Sequence, residues 1–391
     1  MRVAVVVFSL AGSLITVAAI SDRPQQFGDS LPGLTKKQIT DFQDGLGDFN
    51  EVETVADGLG PVFNGRSCAE CHSVPVTGGG SARTVTRFGT TTNGAFDAMA
   101  FVGGSLIQDH AIGPDDASGI HQFTAESVPG AATIIAHRRT TPLFGLGLVD
   151  AVPDADFAAL AAEEAARNDG TAGKVSMVTD LVHGGTAVGK FGWKAQNPNL
   201  LQFAADAYLN EMGITSPLFP IENCPSGNCG DLAYNPRPDL NDLGDGPASL
   251  ANFMTMLDVP PRGKTSSDTV AGEKVFNSLG CASCHVATLN TGNSELAVLR
   301  HRPFHPYSDF LLHDMGALGD GISQGVATGT EMRTAPLWGL RMVTTFLHDG
   351  RTTTIEGAIL AHDGQGRAAR DRFASLDGKS KSKLLAFLNS L

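Results

Sequence analysis

Two stretches of this 391-residue chain carry the same reactive pattern, Cys68-Ala69-Glu70-Cys71-His72 and Cys281-Ala282-Ser283-Cys284-His285. Each reads C-x-x-C-H, the attachment pattern of c-type haem. Two thiols add across the vinyl groups of the macrocycle, and the adjacent imidazole binds iron. Two other chemistries use similar residues. Zinc sites gather Cys and His as two close pairs, and no second pair lies near either motif. A redox-active C-x-x-C needs a strand–helix–strand setting and no following His. The pattern predicts two covalently bound haem c groups. Cys68, Cys71, Cys281 and Cys284 are the anchors, and His72 and His285 the iron ligands.

The elements that must position these motifs repeat with them. Val62-Phe63-Asn64 and Val275-Phe276-Asn277 stand at the same distance before the first cysteine of each motif. Further on, Arg139-Thr-Thr-Pro-Leu-Phe-Gly-Leu146 matches Arg333-Thr-Ala-Pro-Leu-Trp-Gly-Leu340. Each half closes on apolar residues at helical spacing: Leu250, Phe253, Met254 and Leu257, then Leu384, Phe387, Leu388 and Leu391. A repeat this long sets the fold class. It predicts a mainly α protein of two fused cytochrome c-like haem domains, with long irregular loops and a large insertion in the first. The boundaries read as a leader over 1–20, a first domain over 21–258 and a second over 259–391. Pro260-Pro261 marks the junction. Helices are expected within Thr40–Phe63, over Pro153–Asn168 with Asp154 as N-cap, over Leu200–Met212, up to Leu279, and over Thr354–His362. Thr84–Phe88 reads as a short strand or extended loop.

A formal charge of −13 with no basic patch argues against nucleic acid as a partner. Met1-Arg2 and the apolar Val3–Ile20 read as a secretory signal cut near Ala19, which implies export to the periplasm. Retained, the same stretch would be a membrane anchor. Cys224 and Cys229 remain after the haem cysteines, and a disulfide suits an oxidising compartment. A reactive thiol pair is the alternative. No phosphate loop, dinucleotide fingerprint or Ser-His-Asp ordering stands out.

Arg333–Leu340, Phe346-Leu-His-Asp-Gly-Arg351 and Thr354-Ile-Glu-Gly-Ala-Ile-Leu-Ala-His362 resemble the C-terminal half of the bacterial di-haem cytochrome c peroxidases. Phe191-Gly-Trp-Lys194, Asn210-Glu-Met-Gly-Ile-Thr-Ser-Pro-Leu-Phe-Pro220 and Leu311-Leu-His-Asp-Met-Gly316 are similar to di-haem oxidoreductases also described as thiol oxidoreductases. The resemblance spans residues 45–391. It implies a peroxidase-like oxidoreductase that takes electrons from a small redox protein and acts on a small-molecule substrate. A di-haem cytochrome that only carries electrons, and an oxidase of thiols or other substrates, are the alternatives.

The resemblance also implies roles for single residues. His362 stands where the peroxidases hold a distal Met on the second haem, so a His/His iron of lower potential is expected. On the first haem the distal ligand is open. The 194-residue offset between Arg139 and Arg333 carries His362 back to Asn168, which offers no ligand. Glu163 and Glu164, one turn earlier, are the candidates for acid–base work on bound peroxide. His110, His121 and His137 are rival ligands, and His137 ranks first because it precedes Arg138-Arg139. Arg139 and Arg333 suit haem propionates. Trp193 is either a path for electrons between the haems or a core residue. Trp338 reads as packing, and His313 and His348 as hydrogen-bonding neighbours. The peroxidases also bind calcium between domains. The Asp239–Asp245 loop is a candidate here, without a full ligand pattern.

Overall fold

The computed structural model describes residues 23–114 and 119–391. The expected leader and its cleavage point lie outside the described residues. Within them, no helix is long and apolar enough to cross a membrane. Helix exceeds strand, at 35% against 15%. The helices in chain order are α1 (Lys36–Asn50), α2 (Leu146–Asp150), α3 (Asp154–Arg167), α4 (Leu200–Met212), α5 (Asp245–Met256), α6 (Ser267–Ser278), α7 (Ile355–Leu360), α8 (Arg367–Ala374) and α9 (Gly378–Leu388).

Two helix crossings organise these elements. Helix α1 starts at a capping box, Thr35 with Gln38, and α6 at another, Ser266 with Thr269. In both, a side chain accepts from the third helical N–H, and the residue there returns a bond to the cap. Each leading helix then crosses the closing helix of its own half through a glycine. A Cβ on Gly45 of α1 would stand 2.5 Å from the Ser249 carbonyl and 3.0 Å from Phe253 of α5. A Cβ on Gly272 of α6 would stand 2.0 Å from the Lys383 carbonyl and 2.7 Å from Phe387 of α9. Only a residue without a side chain lets the two backbones approach this closely.

The apolar residues that sequence periodicity assigned to the closing helices fill the cores beside these crossings. Phe42, Phe49, Leu250, Phe253 and Met254 belong to one large cluster; Phe276, Phe373, Leu384, Phe387 and Leu388 form a second. Most burial energy of such helices comes from this face rather than from helix propensity. The chain between the crossings is loops, 3₁₀ turns and short antiparallel pairs. Thr84–Thr92 pairs with Ile134–Arg139 and Ala95–Asp97, a longer ribbon than Thr84–Phe88. Pro153, not Asp154, is the N-cap of α3. The Asp154 side chain instead accepts from the Val188 amide and faces Lys190, so it serves the tertiary fold.

Candidate functional site

In each half, one carbonyl orients the motif histidine. His72 donates from Nδ1 to the Gly79 carbonyl at 3.1 Å, and His285 to the Tyr307 carbonyl at 2.9 Å. The repeated Arg-Thr-x-Pro-Leu segments fasten those two loops. The Leu143 amide bonds the Gly78 carbonyl and the Leu337 amide the Pro306 carbonyl, one residue before the orienting carbonyl in each case. Gly145 and Gly339 close the segments with the same backbone angles, φ 71° and ψ 6°, a left-handed turn that favours glycine. The sequence repeat thus has a physical purpose. It fixes the carbonyl that leaves Nε2 of each histidine as the basic nitrogen. Burial pushes both imidazoles down to about 4, which keeps them neutral and able to bind metal.

The residues fit haem best at the second motif. The His362 ring centre stands 6.5 Å from that of His285. Imidazole rings on opposite sides of one ion have centres about 6.4 Å apart, given metal–nitrogen distances of about 2.0–2.1 Å. His362 donates from Nδ1 to the Ala358 carbonyl at 2.8 Å, so it too offers Nε2. Burial lowers its pKa as well. Cys281 and Cys284 are unpaired thiols on the turn before His285. Cys281 packs against the cluster that holds Phe276 and Tyr307, as do Leu337 and Ile359.

At the first motif the fit is partial. Cys68 and Cys71 are unpaired, and burial pushes their thiols up to about 12 and about 11. The Arg139 Nε is buried without a partner, a donor suited to an anionic group such as a propionate. Arg333 differs. Its Nε bonds the Gly192 carbonyl and its Nη1 the Thr334 carbonyl. The His72 ring meets Phe49, with the Thr141 carbonyl also beside it. Among the described residues, no second histidine ring lies against it. A cavity of about 270 Å³ opens beside Cys68, lined by Glu53, Tyr208, Met212 and Asp242 among others.

The counterpart of His362 in the first half explains this difference. Phe191 bridges Asn197 and Phe346 bridges Thr352, a loop closed across the same six positions in both halves. A capped helix comes after each loop. Asn199 caps α4 and Thr354 caps α7, each accepting from the amide three residues on. The position matching His362 is therefore Ala207 of α4, not Asn168. A constant 194-residue offset fails because the first half carries extra residues between each pair of anchors. Asn168 is the left-handed C-cap of α3, φ 51°.

The other candidate residues are spread over both halves. His137 is on the exposed face of its strand, bonded to Thr86, while its neighbours Ala136 and Arg138 turn inward. Strand alternation decides this, since successive side chains leave opposite faces. His110 is exposed beside Asp109, and His121 stacks on Tyr234. Glu163 is exposed. Glu164 is fully buried, but by the second motif rather than the first. The end of α3 leans on that motif, where Arg167 donates to the Ser283 carbonyl. Trp193 sits between the repeated arginines, its Nε1 donating to the Arg139 carbonyl and its own carbonyl accepting from the Arg333 amide. The His348 ring meets it edge-on at 6.2 Å, and the His348 carbonyl accepts from the Arg139 amide. Trp338 packs against Phe304, and its ring would meet a Cβ on Gly145. His313 pairs with Asp309.

In the Asp239–Asp245 loop, Asp242 accepts from the Gly244 and Gly246 amides, so backbone N–H groups occupy its carboxylate. Among the described residues, the one His/Cys/Asp/Glu group of metal-binding proximity is Cys284, Asp309 and His313. Sequence reasoning missed Lys194. It is fully buried, 3.1 Å from Asp320, which also binds Arg138 at 2.7 Å. Burial lowers its pKa to about 8.

A sequence profile described as "Di-haem oxidoreductase, putative peroxidase" matches residues 128–391. A search of curated proteins returns no match. Among solved structures, the chain is similar to Kuenenia stuttgartiensis hydrazine synthase pressurised with xenon. That alignment has TM-score 0.40 and 12% identity, over 100% of each chain. It is also similar to a MauG-like protein associated with microbial copper homeostasis, with TM-score 0.39 and 14% identity over 95% of this chain and 94% of that one.

Proposed function

The chain belongs to the di-haem oxidoreductase family, and from that premise we propose a periplasmic di-haem c-type cytochrome with peroxidase-like activity, which passes electrons from a small redox protein through one haem to a small-molecule substrate at the other. Membership alone carries a redox enzyme with haem cofactors. The assignment of roles to the two halves rests on one observation. His285 faces a second histidine, whereas the position equivalent to that second histidine in the first half is Ala207.

Bound at the two motifs, haem supplies one-electron chemistry and an iron able to take a sixth ligand. The side chains divide that chemistry. His285 and His362 would both hold the iron of a haem at the second site, which suits electron transfer. His72 would hold the iron at the first, and Ala207, matching His362, offers it no second ligand, which would leave room for a substrate. The unpaired Cys68, Cys71, Cys281 and Cys284 support covalent attachment. Arg139 offers its buried Nε to a propionate. Trp193, held between the Arg139 and Arg333 backbones, orients an aromatic ring at the junction of the halves.

The two helix crossings support two fused cytochrome c-like units, 21–258 and 259–391. The Cys224–Cys229 disulfide supports an oxidising compartment. The test is steady-state turnover of hydrogen peroxide with a reduced small cytochrome as donor, run beside a thiol-oxidation assay. Peroxide-dependent oxidation of the donor is expected. Turnover of thiol alone, or of neither substrate, contradicts the peroxidase reading.

A further inference from the structure

We infer that Glu164, together with Asp309 and His313, is a proton-binding site coupled to the second haem, so that an electron arriving there is accompanied by a proton. The inference rests on the reading that Cys281, Cys284, His285 and His362 hold that haem. All three side chains are buried, Glu164 and Asp309 at 0% exposure and His313 at 2%. They come from separated segments, the last turn of α3 and the stretch before and within Leu312–Asp314.

Their bonding leaves one oxygen over. Asp309 Oδ2 pairs with His313 Nε2 at 2.9 Å, and Asp309 Oδ1 accepts from the Leu311 amide. Glu164 Oε2 accepts from the Gly173 amide at 2.8 Å. Glu164 Oε1 is buried with no hydrogen-bond partner. A buried carboxylate oxygen without a donor carries the full desolvation penalty of its charge, and a proton removes that penalty. The cation nearest in kind is Arg167, whose Nη2 stands 3.9 Å away.

The cluster touches the haem motif directly. His313 Nδ1 lies 3.5 Å from Cys284 Sγ and 3.2 Å from Gln365 Oε1, and the Asp309 amide bonds the Cys284 carbonyl. Arg167 bonds the Ser283 carbonyl. The groups facing Glu164 are therefore the Asp309 carboxylate, the His313 imidazole, the Arg167 guanidinium and the Cys284 sulfur. Asp169 stands behind Arg167 at 3.4 Å. The one buried imidazole bonds Asp309 and not Glu164, so the two neighbouring carboxylates cannot both hold charge cheaply. Burial, and then Asp309, pushes Glu164 up to about 7. An electron placed next to this cluster adds negative charge in a water-poor interior, where charges interact more strongly than in bulk. The balance is simple. The redox partner gives one electron to the second site, solvent gives one proton past the half-exposed Arg167, and an O–H bond forms at Glu164 Oε1. By linkage, the proton raises the potential as much as the electron raises the proton affinity.

The experiment is a spectropotentiometric titration of the holoprotein at pH values on both sides of 7. In the wild type the midpoint of the second haem is expected to fall as pH rises, because the deprotonated cluster opposes the electron. Glu164→Gln is expected to flatten that dependence, and Glu163→Gln, on the exposed face, to keep it. A wild-type midpoint indifferent to pH, or a Glu164→Gln midpoint that keeps the wild-type slope, overturns the inference. If Glu164→Gln fails to fold, the wild type still decides through redox-difference infrared spectroscopy. Reduction must produce a protonated-carboxyl C=O band that shifts in D₂O, and its absence overturns the inference. Haem analysis separates the two levels. One haem per chain sinks the underlying reading, whereas two haems with a pH-independent second midpoint sink only the coupling.

Discussion

The two C-x-x-C-H sites share one frame and differ most in what faces the motif histidine. Both hold a buried neutral histidine by a loop carbonyl, and both fasten that loop with Arg-Thr-x-Pro-Leu. They differ in the helix that succeeds the repeated bridged loop. In the second half a short helix delivers His362; in the first a longer helix, α4, delivers Ala207. One difference at a shared backbone position thus gives His285 a facing histidine and leaves His72 without one. Divergence between repeats can therefore be read as division of labour only after the repeats are aligned in three dimensions.

The largest expected effect comes from erasing the difference. His362→Gly should abolish the bis-histidine low-spin signal of the second haem in electron paramagnetic resonance, and added imidazole should restore it. A signal unchanged in His362→Gly would place the ligand elsewhere, with Met315 next to test.

The junction between the halves comes second. Asp320 receives Arg138 at 2.7 Å and Lys194 at 3.1 Å, all three nearly fully buried. Asp320→Ala leaves two buried cations without their anion, a class of change that costs about 3–5 kcal/mol. Denaturant midpoints should show that loss, and Lys194→Met should lose less because Arg138 still pairs with Asp320. Equal losses would contradict the shared-anion account.

A third pair of variants compares the crossings. Gly272→Ala and Gly45→Ala each insert a methyl group against a neighbouring carbonyl, and overpacking of this kind costs about 1–3 kcal/mol. Gly272→Ala should cost more, since its Cβ would stand 2.0 Å from the Lys383 carbonyl against 2.5 Å at Gly45. Thermal unfolding of the two variants, followed at each haem band, checks both the order and the confinement of damage to one half.

The smallest effect is a pH response. Hydrogen bonds from Arg367 and the Ala317 amide hold Asp363, beside His362, down to about 2. A depressed carboxylate contributes stability above its unfolded pKa and loses it as pH falls towards the folded value. Acid unfolding of Asp363→Asn should therefore lack a small component between about pH 4 and the folded value, near 2, that the wild type shows.

Much of this architecture was legible in the chain. The motifs, the Arg-Thr-x-Pro-Leu repeat and the helix Leu200–Met212 needed only spacing and periodicity. Alignment of the halves beyond the arginines was not legible. The offset between them is 213 residues at the first cysteines, 194 at the arginines, 155 at Phe191 and Phe346, and 134 at Phe253 and Phe387. Insertions of that kind leave no periodic trace. The surroundings of Glu164 are hidden from the sequence for a related reason. An Ala-rich helix with two adjacent glutamates looks solvated, and the charged groups that face Glu164, Asp309 and His313, lie far along the chain. The role of Lys194 is not legible because its partners are mostly backbone carbonyls, at Thr328, Gly329 and Glu331, which no side-chain pattern announces.

The most direct test of the division of labour is the spin state of the oxidised and half-reduced protein with and without cyanide. The geometry predicts that one haem, the second, stays six-coordinate low-spin and ignores cyanide. The other, bound by His72, is expected to take cyanide in at least the half-reduced form. Two low-spin haems that both refuse cyanide in every state would contradict the open first site and leave only an electron carrier.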